Sequence, residues 1–181
     1  MTKEFSARRL DVKSFAEDAA ALAGGDPVAM HPRLMAETQG RGADGLVTWS
    51  ASGELRNPRH VHPEAWVHLR AQARLPLTCQ RCLGPVDVDV AVERSFRFAP
   101  DEDIAAAQDE ESEEDVLALS RSFDLVELVE DELLMELPLA PRHAVCPDPV
   151  KFGVADEDFD EAAGRRENPF ALLDKLKRGP K

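Results

Sequence analysis

The stretch AWVHLRAQARLPLTCQRCLGPVDVDVAVERSFRF, residues 65–98, decides the fold class, because apolar and polar side chains alternate along both of its halves. A period of two is typical of a half-buried β-strand. The alternating apolar positions are Val67, Leu69, Ala71, Ala73, Leu75 and Leu77 in the first half and Val86, Val88, Val90, Val92, Phe96 and Phe98 in the second. The sequence therefore predicts two long strands, joined as an antiparallel hairpin with CQRCLG at its tip.

Two segments outside this hairpin predict helices. In residues 14–25, Ser14 can cap a helix with an alanine-rich body, and a pair of glycines can end it. In residues 123–138, leucines and valines recur with the helical period, Asp124 can cap the start, and a proline stops the helix. Six acidic residues lie on this second helix, so its other face is expected to be solvated or to dock a partner. Residues 30–45 show no sustained period and predict a loop or a frayed strand.

The remaining segments predict extensions of one domain. Residues 101–115 are acidic and poor in large apolar groups, so they predict a mobile acidic loop. Residues 151–181 are expected to be a flexible extension that ends in a short, basic, amphipathic helix. We therefore expect a single α+β domain over residues 1–150. Its centre is expected to be a twisted antiparallel sheet or partial barrel, with two or three helices.

Composition limits the classes of function. The chain has 181 residues, of which 43% are hydrophobic, so it can bury a real core. Its net charge of −13 excludes a surface that tracks phosphates over its whole extent, and it favours basic partners. No apolar run approaches the roughly 18 residues of a membrane span, so no membrane association is expected. Three cysteines are an odd number, and no export signal is visible, which predicts reduced thiols in the cytoplasm.

Cys79 and Cys82 have the C-x2-C spacing, and Gly84 follows them at the predicted hairpin tip. A tight turn of this kind can aim two thiolates at one zinc ion, and glycine permits backbone angles that other residues resist. Tetrahedral zinc needs four ligands, and the sequence HAVC offers His143 and Cys146. Two alternatives stay open. One is a redox pair, although that motif belongs at the start of a helix rather than between strands, and the other is a plain turn.

Charged side chains offer candidate contacts with RNA or protein. Arg70 and Arg74 lie on the polar parity of the first strand and Arg81 lies at the hairpin tip, where they could bind phosphates or form an ordinary solvated surface. The basic C-terminal set, which could attract phosphate or complement a helix end, includes Lys175, Lys177 and Arg178. Acidic residues 101–132 could attract a basic partner or simply keep the chain in solution.

Signals for catalysis or for a second metal site are weak. His60 and His62, with His68 nearby, are completed by no carboxylate or cysteine, so a solvated or RNA-facing role is the alternative to metal binding. The sequence has no P-loop, no G-x-S-x-G and no H-E-x-x-H. A nucleophile built from Cys146 and His143 would lack an evident orienting group. We therefore expect a binding protein, with no small-molecule substrate.

Three blocks of sequence resemble the YceD-like family, the large ribosomal RNA subunit accumulation proteins of bacteria and plastids. They are LTCQRCLGPV, then an acidic helix that ends in EDELLMELPLAPRH with a following cysteine, then NPFALLDKLKR. The blocks occur in the family's order. The resemblance implies a small cytoplasmic protein, not an enzyme, that supports ribosome biogenesis through the accumulation or processing of 23S ribosomal RNA.

The resemblance is compatible with two mechanisms. In the first, the protein binds precursor 23S rRNA directly through its arginines and basic tail. In the second, it is an acidic chaperone or adaptor for a basic ribosomal protein, such as ribosomal protein L32, whose gene commonly neighbours the family's gene. The resemblance also implies a metal knuckle at Cys79 and Cys82, with His143 and Cys146 where relatives place further ligands.

Overall fold

The computed structural model describes residues 4–61 and 63–147 of the chain. The chain divides into two compact units, Met1–Val145 and Cys146–Lys181, and the first of them contains the sheet and its helices. The expected extension over residues 151–181, with Lys175, Lys177 and Arg178, lies outside the described residues. The boundary near residue 150 and the basic terminal helix therefore stay predictions.

Five strands form a single open sheet in the order β1-β2-β3-β4-β5. The strands are β1 (Ala21–Pro27), β2 (Leu46–Arg56), β3 (Glu64–Thr78), β4 (Pro85–Ala99) and β5 (Asp115–Ala118). The first four are antiparallel neighbours, whereas β5 pairs with β4 in parallel. The α+β class is confirmed, and the sheet is mixed and open rather than closed into a barrel.

The predicted hairpin is the longest paired region of the sheet. The register of β3 and β4 runs without interruption from Ala65 opposite Phe98 to Thr78 opposite Pro85. This leaves residues 79–84 as the connecting turn, as the alternation predicted. The apolar parity of the two strands faces the core, because both strands bury it against the same layer of helices.

Four α-helices are present among the described residues, more than the two or three expected. They are α1 (Val12–Glu17), α2 (Pro32–Glu37), α3 (Glu102–Asp109) and α4 (Leu125–Met135), and two 3-10 turns occur at Ala7–Arg9 and Val28–Met30. Helix α4 confirms the predicted acidic helix. Its cap is the side chain of Asp124, which accepts hydrogen bonds from the N–H groups of Val126 and Glu127.

The core lies between one face of the sheet and the helices. Its largest fully buried apolar side chains are Phe15, Phe96, Leu10, Leu34, Leu69, Leu75, Leu125 and Leu133. Helices α1 and α4 supply the covering side chains, while the opposite parity of β3 is exposed at its centre, at Arg70, Gln72 and Arg74. The sheet thus has one apolar, covered face and one polar, open face.

The helix predicted over residues 14–25 is wrong in extent. Helix α1 ends at Glu17, Ala19 has a left-handed φ of 45°, and β1 begins at Ala21. The true cap is Asp11, which accepts from the N–H of Ser14. Pairing of β1 with β2 outweighs the helical propensity of its alanines, since tertiary context routinely overrides propensity.

Two segments expected to be irregular contain regular structure. Residues 32–37 form α2, which begins with a proline, a residue well suited to the first helical position. In the acidic stretch 101–115, residues 102–109 form α3 and the last residue begins β5, so the expected loop is replaced by structure. The side chain of Asp101 caps α3, and Asp109 accepts from the N–H of Val116. Acidic side chains in this stretch satisfy backbone donors, which composition alone did not reveal.

Candidate functional site

The cysteine knuckle is the turn of residues 79–84 that joins β3 to β4. The N–H of Leu83 donates to the carbonyl of Cys79 (2.9 Å), and the N–H of Cys79 donates to the carbonyl of Gly84 (2.8 Å). The left-handed position is Leu83, with φ 61°, and not the glycine to which the sequence pointed. Since a left-handed angle costs an L-residue about 1–2 kcal/mol, the knuckle contains local backbone strain.

The His143 loop, residues 137–147, is held against this knuckle by hydrogen bonds. The N–H of Gln80 donates to the carbonyl of Pro141 (2.8 Å). The guanidinium of Arg81 donates to the carbonyl of His143 (3.2 Å). The loop after α4 and the tip of the β3–β4 hairpin therefore meet, as a shared ligand set requires.

The two ring nitrogens of His143 have different roles. Its Nε2 lies 2.9 Å from the carbonyl oxygen of Pro85, which can only accept, so Nε2 carries the hydrogen. The neutral ring then has an unprotonated Nδ1, which lies 3.4 Å from Sγ of Cys82. A histidine ligand commonly donates its second N–H to a backbone carbonyl in this way, which fixes the tautomer. His143 thus presents a free lone pair to the cysteines.

Cys79 lies in surroundings that favour the thiolate. Its side chain is fully buried, and burial acts to raise the pKa of the thiol. Hydrogen bonds from the backbone N–H groups of Cys82, His143 and Arg81 outweigh burial, and the pKa falls to about 5. Because the thiolate is the form that binds metals, the polar groups around this sulfur suit a ligand.

Three of the four residues predicted as metal ligands, Cys79, Cys82 and His143, come together in the first unit, where one ligand atom from each lies within 4.8 Å of the others. Cys146 begins the second unit and stays a predicted ligand. In a tetrahedral site with Zn–S bonds of about 2.3 Å, neighbouring sulfurs are about 3.8 Å apart. Shifts of about 1 Å or less would bring the atoms to bonding distance. The cluster could hold a metal ion, and three thiolates with one imidazole form a common zinc ligand set.

The arginine stripe, Arg70 and Arg74 of β3, is compensated by acids of β4. Arg70 forms an ion pair with Glu93 (2.5 Å), which stands directly opposite it in the register. Arg74 forms ion pairs with Asp87 (3.1 Å) and Asp89 (3.9 Å). These pairs do not test RNA contact, but they reduce the positive charge that the stripe offers to a phosphate.

Among the described residues, the histidines considered for a second metal site do not form a ligand cluster. His68 lies with Nδ1 2.8 Å from Oγ of Ser95 and Nε2 2.7 Å from the carboxylate of Glu54. The N–H of His60 donates to the carbonyl of Asn57 in the turn after β2, and His62 lies outside the described residues. His68 therefore belongs to a hydrogen-bond network on the open face of the sheet.

Two carboxylates of α4 are buried, contrary to the expectation that this helix's acids lie on a solvated or docking face. Glu130 accepts from the N–H groups of Arg33 (2.7 Å) and Leu34 (3.1 Å), so it caps the first turn of α2 from another helix. Glu132 pairs with Arg94 (3.3 Å). Burial raises the pKa of Glu132, and the charge of Arg94 opposes that shift. Part of the acidic composition therefore stabilises the fold.

A second group of acids, the α3 acidic face, lies within residues 101–115. This segment has nine acidic residues and no lysine or arginine. Among the described residues, Asp115 is the member of this set with an ion pair, to Arg94 (3.0 Å). Glu111, Glu113 and Glu114 line an open pocket of about 660 Å³ that also includes Arg97.

Arg142 is a candidate contact residue that sequence reasoning missed. It is exposed, and it directly precedes His143 in the loop that meets the knuckle. No ion pair forms between Arg142 and any residue in 4–61 or 63–147. The available signal was its adjacency to a predicted metal ligand, which places it in the same part of the fold as Arg81 once the loop docks.

Comparison with known families identifies the matching part of the chain. The family model described as large ribosomal RNA subunit accumulation protein YceD matches residues 67–177. The chain belongs to the YceD family. The matched range begins in β3 and includes the knuckle, α4 and the His143 loop, so the candidate metal site lies inside the YceD region. The resemblance inferred from the three sequence blocks is confirmed.

A curated relative supports the same assignment. The chain is similar to the large ribosomal RNA subunit accumulation protein YceD of Haemophilus influenzae, with 28% identity over 144 residues. That alignment covers 75% of this chain and 79% of the relative. No solved structure matches the chain. Among the described residues, none of the helices combines the length and apolar character needed to cross a membrane.

Proposed function

We propose that this protein is a cytoplasmic ribosome-biogenesis factor that supports the accumulation or processing of 23S rRNA by binding rather than by catalysis. The observation that carries the proposal is the YceD family match, whose description names large ribosomal RNA subunit accumulation. The relative from Haemophilus influenzae has the same description.

Depletion of the protein in its own cells tests this function. We expect the amount of mature 23S rRNA to fall relative to 16S rRNA, with recovery when the intact gene is restored. Affinity capture from lysate, with and without nuclease, then separates the mechanisms. Recovery of 23S precursor without ribosomal proteins supports direct RNA binding, whereas unchanged ratios of 23S to 16S rRNA on depletion would overturn the proposed function.

Zinc is the metal that we propose for the cysteine cluster. Cys79, Cys82, His143 and Cys146 would hold the ion and tie the hairpin tip to the loop after α4. Because metal binding is coupled to folding, Cys82→Ser should lower both the zinc content and the melting temperature. Metal analysis of the purified chain should give about one zinc per protein, the occupancy of a single tetrahedral site, and much less for the variant.

The matched control for the zinc experiment is Gln80→Ala. Gln80 is exposed and lies between the two cysteines, but its side chain is not part of the ligand cluster. This variant should retain zinc and stability, so a loss confined to Cys82→Ser assigns the effect to the ligand. The knuckle would be a plain turn without metal if the purified protein contains no zinc and takes none up when it is supplied. Its melting temperature would then equal that of Cys82→Ser.

A second candidate is an acidic chaperone or adaptor for a basic ribosomal protein such as ribosomal protein L32. The α3 acidic face favours it, because most of its carboxylates have no ion pair within the described part of the chain. Electrostatic attraction would speed such an encounter and make it salt-dependent. Replacing Glu111, Glu113 and Glu114 with glutamine should weaken capture of the basic partner, and unchanged capture would oppose this candidate.

A further inference from the structure

Some arginines in this structure form ion pairs with carboxylates, and others do not. Arg70, Arg74 and Arg94 each form an ion pair with a carboxylate of a neighbouring strand or helix. Arg81 and Arg142 form none with the described residues, although the protein is strongly acidic. An arginine that already pairs with a carboxylate offers little net charge to a phosphate. Arg81 and Arg142 are therefore the better candidates for phosphate contact.

We define the knuckle surface as residues 78–85 and 137–145. It contains positively charged side chains and no acidic ones. Its two segments contain Arg81 and Arg142 and no aspartate or glutamate. Arg41 lies at its base, where its guanidinium donates to Oγ1 of Thr78 (2.5 Å). Glu37 is the acidic residue that lines the adjacent small pocket. The arginine and carboxylate side chains of the two segments therefore sum to +2, against −13 for the whole chain.

The same surface exposes apolar side chains. Leu83, next to Cys82, is 74% exposed, and Val145, two residues beyond His143, is 85% exposed. Leu139, in the same loop, is fully exposed. Aliphatic side chains beside a cation can contact the faces of unstacked bases, which a duplex keeps hidden in its stack. This combination fits single-stranded RNA better than double-stranded RNA.

The α3 acidic face is distant from this surface. The knuckle ends where β4 starts, and α3 begins three residues after β4 ends. A strand rises about 3.3 Å per residue, so the 15 residues of β4 separate the two ends by roughly 45 Å. At physiological ionic strength the Debye length is about 8 Å, so the α3 acidic face is screened from an RNA bound at the knuckle.

From these observations we propose that the knuckle surface is the contact site for single-stranded RNA, with Arg81 and Arg142 on phosphates and Leu83 and Val145 against bases. The inference rests on the proposed role in 23S rRNA accumulation and assigns that role a surface. It places the principal RNA contact at the end of the hairpin rather than on the arginine stripe. Protein contact at this surface is the competing interpretation, and the test separates the two.

The test measures binding of a fluorescent 20-nucleotide oligouridine, an unstructured RNA, to the full-length chain at several salt concentrations. Each phosphate contact contributes about 0.7 to the slope of log K against log salt for single strands. Arg142→Gln should lower the slope by about 0.7 and the affinity about fivefold at 0.1 M salt, taking 1 M salt as the reference. Adding Arg81→Gln should lower the slope by about 1.4 in total and the affinity roughly 25-fold.

The matched control is the double variant Arg70→Gln, Arg74→Gln, which removes two arginines from the paired stripe. Its affinity should stay within about threefold of the intact protein, and a larger loss than at the knuckle would overturn the assignment. Metal content and melting temperature of all variants show whether Arg81→Gln has disturbed the loop. Arg142→Gln, which removes no ion pair that the described residues form, gives an independent measurement.

Three further outcomes bear on the proposal. An intact protein that binds neither oligouridine nor a matched RNA duplex overturns this inference, while the depletion experiment on 23S rRNA still stands on its own. Equal affinity for oligouridine and for the duplex would mean that Leu83 and Val145 do not contact bases, and it would overturn that part of the assignment. Capture of a ribosomal protein that is lost with Arg142→Gln, without any RNA binding, would identify the knuckle as a protein-contact surface.

Discussion

Replacing Glu130 with alanine should strongly destabilise the protein, although Glu130 lies on a helix whose sequence suggests a solvated acidic face. One oxygen of this carboxylate accepts from the N–H groups of Arg33 and Leu34, and the other accepts from Nε of Arg33 (3.2 Å). The side chain is almost completely buried. Its removal leaves two backbone donors at the start of α2 without an acceptor, in a place that water reaches poorly.

The magnitude follows from the contacts that are lost. A hydrogen bond to a charged group contributes about 1.5–3 kcal/mol, so two backbone bonds predict a loss of about 3–6 kcal/mol. The side chain of Arg33 adds nothing to this sum, because it is partly exposed and keeps its contact with Asp131. For a chain of this size the melting temperature should fall by roughly 6–24 °C. Urea unfolding followed by tryptophan fluorescence measures the free energy directly.

Two further variants make the prediction specific. Glu130→Gln keeps an acceptor oxygen for the backbone and should cost only about 1–2 kcal/mol. Glu127→Ala removes an exposed acid from the same helix and should cost less than about 1 kcal/mol, the size of a helix-dipole contribution. If Glu130→Ala and Glu127→Ala cost the same, the reasoning that Glu130 caps α2 across the interface is wrong.

Three other predictions test packing, protonation and turn strain. Gly53→Ala should cost about 1–3 kcal/mol in unfolding experiments, because a Cβ would lie 2.4 Å from the Phe15 carbonyl oxygen, whereas exposed Ser52→Ala should stay within about 0.5 kcal/mol. Burial lowers the pKa of His31 below 6.5, so the folded state resists protonation. Stability should therefore fall as the pH drops below about 6.5, less steeply in His31→Gln. Leu83→Gly should leave stability unchanged or raise it by up to about 1 kcal/mol in thermal unfolding, and a clear loss would contradict the strain at this turn.

The hairpin and its charges were predictable from sequence because both depend on local periodicity. Two alternating runs around a short turn determine the register, which pairs Thr78 with Pro85 at the tip. A symmetric hairpin then puts Arg70 opposite Glu93 and Arg74 opposite Asp89, so the compensation of the arginine stripe was available from the same pattern. It was missed because the arginines were considered on their own strand, without the register that sets acids of β4 beside them.

The features that sequence reasoning missed depend on contacts between distant segments. Nothing local to α4 shows that Glu130 reaches the start of α2, because its partners lie nearly one hundred residues earlier in the chain. Strand β1 lies in an alanine-rich stretch whose propensity favours helix, and only its pairing with β2 decides otherwise. The closeness of Cys82 and His143 was easier to predict, since C-x2-C is typical of a tight turn and HAVC follows the end of a helix.

Acidic residues in different parts of this protein have different roles, and this difference leads to a last prediction. The acids of α4 are partly used in the fold, those of β4 compensate the arginine stripe, and most of those on the α3 acidic face have no ion pair with the described residues. Neutralising Glu111, Glu113 and Glu114 should therefore change oligouridine affinity less than twofold at 0.15 M salt. At 0.01 M salt, where the Debye length is about 30 Å, the same variant should bind RNA more tightly. A tightening of equal size at both salt concentrations would mean that the acids lie close to the RNA, and it would place the contact away from the knuckle.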